Sequence, residues 1–387
     1  MDFDTEIMVR LFWRGIKSFF IKSAVTYPQD GISNFDALKD NFDISLMHSK
    51  LCLKMPYRLI KLYSKKLFSS KHNSSGAWER QNEVHGLLGM KIMMRVYKIF
   101  GRSFFILLLP LIIAGYYVTA SPQRKASQQF LELVNARKKQ LGLKKRPKLS
   151  SFAHFLSFGI TLLDKLALWS DENKVKQRVE YATGAQEILS THGKRGKLIL
   201  ASHLGNLDAA RALARKSHLP RVTTLVFTDN AARFLKITKQ FAPDALQDLI
   251  AITEVTAALP CELDERLAKG EYVALTADRF SPCQGRGGER SVMVTFLGRQ
   301  CAFPQGPFIL ASLLKCEVVA AFALKEKGKI KIYAHKFDDT VILNHKHREA
   351  SLIVYAAKYA ALLEKYTLSH SYEWFNFYEY PWIKEDK

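Results

Sequence analysis

The chain has 387 residues, enough for roughly two to three domains of ordinary size. Lys and Arg number 58 against 36 Asp and Glu, a formal net charge of +22, so the expected partners are acidic: nucleic acid, anionic lipid or an acidic protein. Hydrophobic residues at 48% and aromatics at 12% exclude a disordered basic tail as the overall description.

The five cysteines are Cys52, Cys261, Cys283, Cys301 and Cys316. Their number is odd and no pair has CxxC spacing, so neither a disulfide framework nor a zinc knuckle is expected. The N-terminal MDFDTEIMVRLFW begins acidic and lacks the basic and apolar blocks of a secretory signal. Ser64–Ser75, SKKLFSSKHNSS, has the polar composition of a linker.

Ser103–Ala120, SFFILLLPLIIAGYYVTA, carries no charge. As a helix it would reach roughly 27 Å, the lower limit for a bilayer core. Basic residues flank both ends, so there is no charge bias of the kind a single span shows. Pro110 lies in the middle and predicts a kink. A kinked helix inserted in the cytoplasmic face is therefore preferred over a full span or a buried soluble helix. Arg137, Lys138, Lys139, Lys144, Lys145, Arg146 and Lys148 follow as a basic run suited to anionic lipid. No helix-turn-helix, RNP or zinc-finger pattern accompanies it, so nucleic acid is not the expected partner.

From Lys197 onward the pattern changes. KLILAS, VTTLVF, LIAIT, YVALTA, SVMVTF, EVVAAFAL and KIKIYAH are short β-rich runs, with helix-period stretches between the early ones. This alternation predicts an α/β fold with a mostly parallel central sheet flanked by helices, preceded by an N-terminal membrane-associated helical region. His347–Tyr366 is expected to form a long helix packed on the sheet. The predicted organisation is 1–76 as an N-terminal segment with its linker, 77–150 as the membrane-associated region, and 151–387 as the α/β domain.

LILASHLGNLDAARALA is the most informative string. A strand ends at Ser202, His203 lies in the turn, and Asp208 falls in the first turn of the next helix. Active sites of open α/β sheets lie at the carboxyl ends of strands. His203 is thus a candidate general base, with Asp208 holding its ring. Gly205 permits close backbone approach. With 11 histidines and 36 acids in 387 positions, about one such His-x4-acid pair arises by chance, so the spacing needs context. On the residues alone, a helix-capping histidine with a dipole-complementing aspartate is the competing reading. Asp278 and Arg279 end the YVALTA strand, where they would lie beside His203 or form a structural ion pair. QGRGGER (284–290) lacks GK[ST] and precedes a strand, which argues against a Walker-type loop. Its Arg286 and Arg290 suit phosphate groups of a lipid or phosphopantetheine, or belong to a solvated loop. FLGR, with Gly298 and Arg299, and the following Pro304 and Gly306 read by themselves as a strand end and a helix start.

SHLGNLDAARAL resembles the His-x4-Asp block of the lysophospholipid acyltransferase superfamily, especially the branch of lipid A lauroyl/myristoyl acyltransferases. WERQNE (78–83), FAHFLSFGITLLDKLALWSD (152–171), ALTADRF (274–280), VTFLGRQCAFPQGPFILASLLKC (294–316) and SYEWFNFYEYPW (371–382) follow that branch in order. The likeness covers about residues 77–387. Glu373 stands where relatives more often have Gln, and Glu379 where they more often have Asp.

The resemblance implies acyl transfer from an acyl carrier protein or coenzyme A (CoA) thioester to a hydroxyl or amine of a lipid acceptor. His203 would be the base and Asp208 its orienting partner. Gly205, Asn206, Asp278, Arg279, Arg286, Arg290, Gly298, Arg299, Pro304 and Gly306 would bind substrate. Neither a metal nor a redox cofactor is implied, and the place of work would be the cytoplasmic face of the inner membrane. A CoA-dependent lysophospholipid or glycerophosphate acyltransferase is the first alternative. DTEIMVRLFWRG and VTYPQDGISNFDALKDNFDISLMHSKL, within residues 1–76, resemble the C-terminal tail of family 2 glycosyltransferases. That makes a non-catalytic, membrane-binding remnant of a glycosyltransferase–acyltransferase fusion the second alternative.

Overall fold

The computed structural model describes residues 86–143, 149–170, 178–190, 195–216, 220–226, 249–251, 259–279 and 291–378, with Met47 and Leu51 as isolated positions. The chain divides into two units, Met1–Gln81 and Asn82–Lys387. Segment 1–76, expected to resemble a glycosyltransferase tail, lies outside the described residues apart from those two positions. So do Lys144, Lys145, Arg146 and Lys148 of the basic run, and Arg286 and Arg290 of the Gly-rich segment.

Three long helices come first: α1 Gly86–Thr119, α2 Ser121–Gln140 and α3 Ser151–Ser170. The α/β region follows with β1 Val179–Tyr181, α4 Ala185–Ile188, β2 Leu198–Ala201, α5 Leu207–Lys216, β3 Val222–Val226, β4 Leu249–Ala251, α6 Leu259–Ala268, β5 Tyr272–Thr276, β6 Ser291–Phe296, β7 Arg299–Pro304, α7 Gly306–Leu314, β8 Val318–Glu326, β9 Lys329–Asp338 and α8 Arg348–Ser369.

Seven strands form one sheet in the order β1-β9-β8-β2-β5-β3-β4. Every neighbouring pair is parallel except β8 with β9. The central strands β2 (LILA) and β5 (YVALT) are covered on both faces, which is why they read as unbroken apolar runs. One face packs Leu198, Leu200, Val273 and Leu275 with α6, α7 and α8; the other packs Ile199, Tyr272 and Ala274 with α4 and α5. SVMVTF, in contrast, alternates buried and exposed positions. With RQCAFP it forms a separate antiparallel hairpin instead of joining the sheet.

Helix α1 carries a break that the sequence did not mark. Its backbone break is at Gly101 (φ 72°, ψ −175°), and the helix continues through Pro110. Glycine adopts that left-handed φ without a Cβ penalty, and Pro110 sits on the exposed side. Beyond the break, Phe105, Leu109 and Ile113 recur every four residues and pack with Phe155 and Leu163 of α3. Leu107 (78% exposed) and Leu111 (74% exposed) lie on the opposite face. Ile99–Thr119 is long and apolar enough to cross a membrane by length and composition. Polar ties anchor the same region to the core: Asp164 of α3 accepts from Arg102 of α1, from Arg178 and from Lys325 of β8. Within the basic run, Arg137 pairs with Glu364 of α8 and Lys138 donates to Ser371 just beyond it, so the two tie α2 to α8 and to the segment that follows.

Candidate active site

Strand register assembles the site. Leu198 to Ala201 of β2 pair in parallel with Val273 to Thr276 of β5. Two residues past these matched ends stand His203 and Asp278, at the carboxyl edge of the sheet. Constant register over the two strands is what brings residues distant in sequence side by side.

Asp278 is fully buried. Its Oδ1 accepts from His203 Nδ1 at 2.9 Å, and its Oδ2 accepts the His203 main-chain N–H at 2.8 Å and the Trp374 Nε1–H at 2.9 Å. Burial alone would raise this carboxyl, but His203, Arg279 and the Trp374 donor outweigh it and hold it down at about 2. It is therefore an anion at neutral pH, and an anion at Nδ1 places the ring proton there. Nε2 is left as the basic nitrogen. It forms no hydrogen bond among the described residues, and 36% of the side chain is open. Desolvation lowers its proton affinity below the ordinary histidine value, with Arg279 and Lys165 acting in the same direction and Asp278 opposing them.

Asp208 has a different place from the one expected. It lies in the first turn of α5 and pairs with Lys165 of α3 at 2.9 Å. Five residues along, it sits on a helix that leads away from the turn, whereas Asp278 leaves the adjacent strand in register with the histidine. The carboxylate hydrogen-bonded to the imidazole is that of Asp278.

The turn between β2 and α5 is clamped from two sides. Asn206 N–H donates to the Ala323 carbonyl at 2.8 Å, and Gly205 N–H to the Glu373 carbonyl at 2.9 Å. A side chain at Gly205 (φ 86°) would place its Cβ 2.0 Å from the Ala323 oxygen, so only glycine fits between the turn and β8. Asn206 caps α5 by accepting the Ala209 N–H through Oδ1. Its Nδ2 is buried without a partner among the described residues, as is Nε of Arg279. The Arg279 guanidinium is held by the Phe375 carbonyl at 2.6 Å and lies over the Tyr378 ring. Two buried N–H donors thus go without a partner among the described residues, one three residues after His203 and one on the neighbour of Asp278 in the chain.

The remaining expected residues lie on the hairpin and the helix after it. Gly298 and Arg299 are exposed where β6 turns into β7, and a Cβ at Gly298 would fall 2.9 Å from Gln140 Oε1 of α2. Pro304 ends β7 opposite Ser291, and Gly306 opens α7. None of these four forms a hydrogen bond with His203 or Asp278; they shape the hairpin and its junction with α7. Among the described residues no group of three or more His, Cys, Asp or Glu is arranged to hold a metal ion.

The C-terminal aromatics supply what sequence reasoning missed. Trp374 is fully buried, bridges to Leu204 beside the histidine and donates to Asp278. Density of aromatics was visible in the sequence, but nothing in it singled out one indole as a partner of Asp278. Lys165, from a helix almost forty positions upstream of the histidine, is the other residue that gave no local signal. Comparison with known proteins adds no relative: no family model matches the chain, and no curated protein matches it.

Proposed function

We propose that the protein is a membrane-associated acyltransferase that moves a fatty acyl group from an acyl carrier protein or CoA thioester to a hydroxyl or amine of a lipid acceptor. The observation that carries this reading is the His203–Asp278 pair, with Nε2 open and two unpartnered N–H donors, Asn206 Nδ2 and Arg279 Nε, buried nearby. Nε2 takes the acceptor proton as the acceptor oxygen or nitrogen attacks the thioester carbonyl. The new C–O or C–N bond forms, the C–S bond breaks, and the imidazolium returns its proton to the leaving thiolate. Base catalysis of this kind is worth ~10²–10⁴-fold. The oxyanion that develops on the carbonyl calls for preorganised donors, for which Asn206 Nδ2 and Arg279 Nε are the candidates.

The apolar face of α1 suits a bilayer surface, and a net charge of +22 suits both anionic lipid and an acidic carrier protein. One face of α1 packs on α3, which favours a helix lying in the interface over one crossing it. The expected place of work is the cytoplasmic face of the inner membrane.

The test uses purified full-length protein, acyl carrier protein and CoA thioesters of the same chain, and a total bacterial lipid extract followed by mass spectrometry. A lipid should gain an acyl chain with the intact protein and not with His203→Ala. Absence of product from both, while both bind liposomes, would overturn the enzymatic reading and favour the non-catalytic remnant.

A further inference from the structure

His154 of α3 and Trp374 are fully buried, and neither takes part in the proton transfer. They are joined to each other and to Asp278. His154 Nε2 lies 3.0 Å from the Trp374 carbonyl, and Nδ1 lies 2.9 Å from Ser127 Oγ. A carbonyl only accepts, so Nε2 carries the ring proton and Nδ1 accepts the Ser127 hydroxyl proton. Ser127 Oγ in turn accepts from Ser151 at 2.9 Å. Burial holds the imidazole down at about 4, with the Trp374 carbonyl opposing it only in part, so the ring stays neutral and the polarity of the chain does not reverse. Aromatic rings close the space around it: Phe377 stacks on His154 with centroids 4.5 Å apart, and Phe130 and Phe296 meet Trp374 edge-on at 5.0 and 5.2 Å.

The far end of this chain is the catalytic carboxylate. Trp374 Nε1–H and the His203 main-chain N–H both donate to Oδ2 of Asp278, which turns Oδ1 toward Nδ1 of His203. Trp374 adds a third donor to the two that His203 supplies, on the oxygen that does not face the ring, and so narrows the rotation of the carboxylate.

We propose that Trp374, held in place by His154, is a positioning residue that sets the aim of Asp278 on His203, so that the α2–α3 helix pair is mechanically part of the active site. His154 is not a second base. The kinetic part of this inference rests on the acyltransferase reading; the titration part does not.

The test compares full-length wild type, Trp374→Phe, His154→Leu and His154→Gln. Trp374→Phe keeps a ring against Phe130 and Phe296 but removes the donor, and His154→Gln keeps an N–H donor close to the position of Nε2. The charged groups facing His203 are Asp278, Arg279 and Lys165. With one donor fewer, Asp278 is a stronger acceptor and favours the imidazolium. The His203 midpoint, followed by NMR of the ring, should therefore rise in Trp374→Phe and His154→Leu and return toward wild type in His154→Gln. The turnover number should fall roughly 10- to 100-fold with KM little changed.

Thermal unfolding checks that each variant is folded. Should His154→Leu not fold, Ser127→Ala, which removes only the hydroxyl at Nδ1, replaces it. A wild-type His203 midpoint in folded Trp374→Phe overturns the inference, as does a loss confined to stability. If no protein transfers acyl groups but the midpoint still moves, positioning stands and the acyltransferase reading falls.

Discussion

Asp278 holds His203 at two points, accepting from Nδ1 and from the main-chain N–H of the same residue. Such a grip fixes both the ring tautomer and the turn that carries the ring. Asp278→Asn should therefore lower turnover by about 10³–10⁴-fold with folding preserved, because the amide can present its N–H and select the wrong tautomer. Asp208→Asn should cost less, about 10-fold, since Asp278 is the carboxylate hydrogen-bonded to the ring, whereas Asp208 pairs with Lys165. Single-turnover rates of the two variants decide between the carboxylates. A larger loss in Asp208→Asn would return the orienting role to Asp208.

His203 works as a base only when its ring is neutral. Burial and Arg279 lower its proton affinity below the ordinary value of 6.5. The midpoint of the acid limb of kcat/KM should accordingly lie below the ordinary histidine value of 6.5. Arg279→Met would move that limb upward by removing a like charge, a shift visible in the same pH profile. A wild-type limb above pH 6.5 would contradict the assignment.

Glu373 sits where the C-terminal segment crosses the turn, both carboxylate oxygens facing the Lys325 main-chain N–H. Burial raises its pKa to about 7, against an ordinary 4.5, with the Lys325 contacts opposing the rise. A raised carboxyl costs nothing while it is protonated in both folded and unfolded chains. Its contribution is therefore complete below pH 4.5 and is lost as pH rises toward 7, by up to about 3 kcal/mol. Glu373→Gln should remove this dependence and stabilise the protein above neutrality. Denaturant midpoints at pH 5 and pH 8 check it; parallel pH profiles for both proteins would reject it.

The outer face of α1 should carry the membrane contact. Leu107 and Leu111 are exposed one turn apart, and neither supports the packing of α1 on α3. Full burial of one such side chain is worth roughly 1.5–3 kcal/mol. Replacing both with Asp should weaken binding to anionic liposomes by at least about a hundredfold and leave thermal unfolding unchanged. Undiminished cosedimentation would place the contact elsewhere.

Much of this protein was legible in its sequence. Unbroken apolar runs such as LILA and YVALT mark strands covered on both faces, because a parallel sheet hides both sides. The alternation of those runs with helical stretches requires an α/β layering. A histidine directly after the first of them lies at the carboxyl edge for the same reason, and Asp278 after the YVALTA strand was a visible candidate neighbour.

Which acid serves His203 was decided by the tertiary structure alone. Local spacing favoured Asp208, five residues away, which in the fold pairs with Lys165. The register of β2 with β5, which no local pattern encodes, delivered Asp278 instead. The separation of the β6–β7 hairpin from the main sheet and the burial of Trp374 against Asp278 are of the same kind. The break of α1 at Gly101 shows a related limit: a glycine permits a left-handed φ, but whether the chain uses it depends on what the helix on either side packs against. Periodicity records how a segment meets solvent, whereas partners drawn from distant segments depend on strand order, register and close packing. Those belong to the folded chain as a whole.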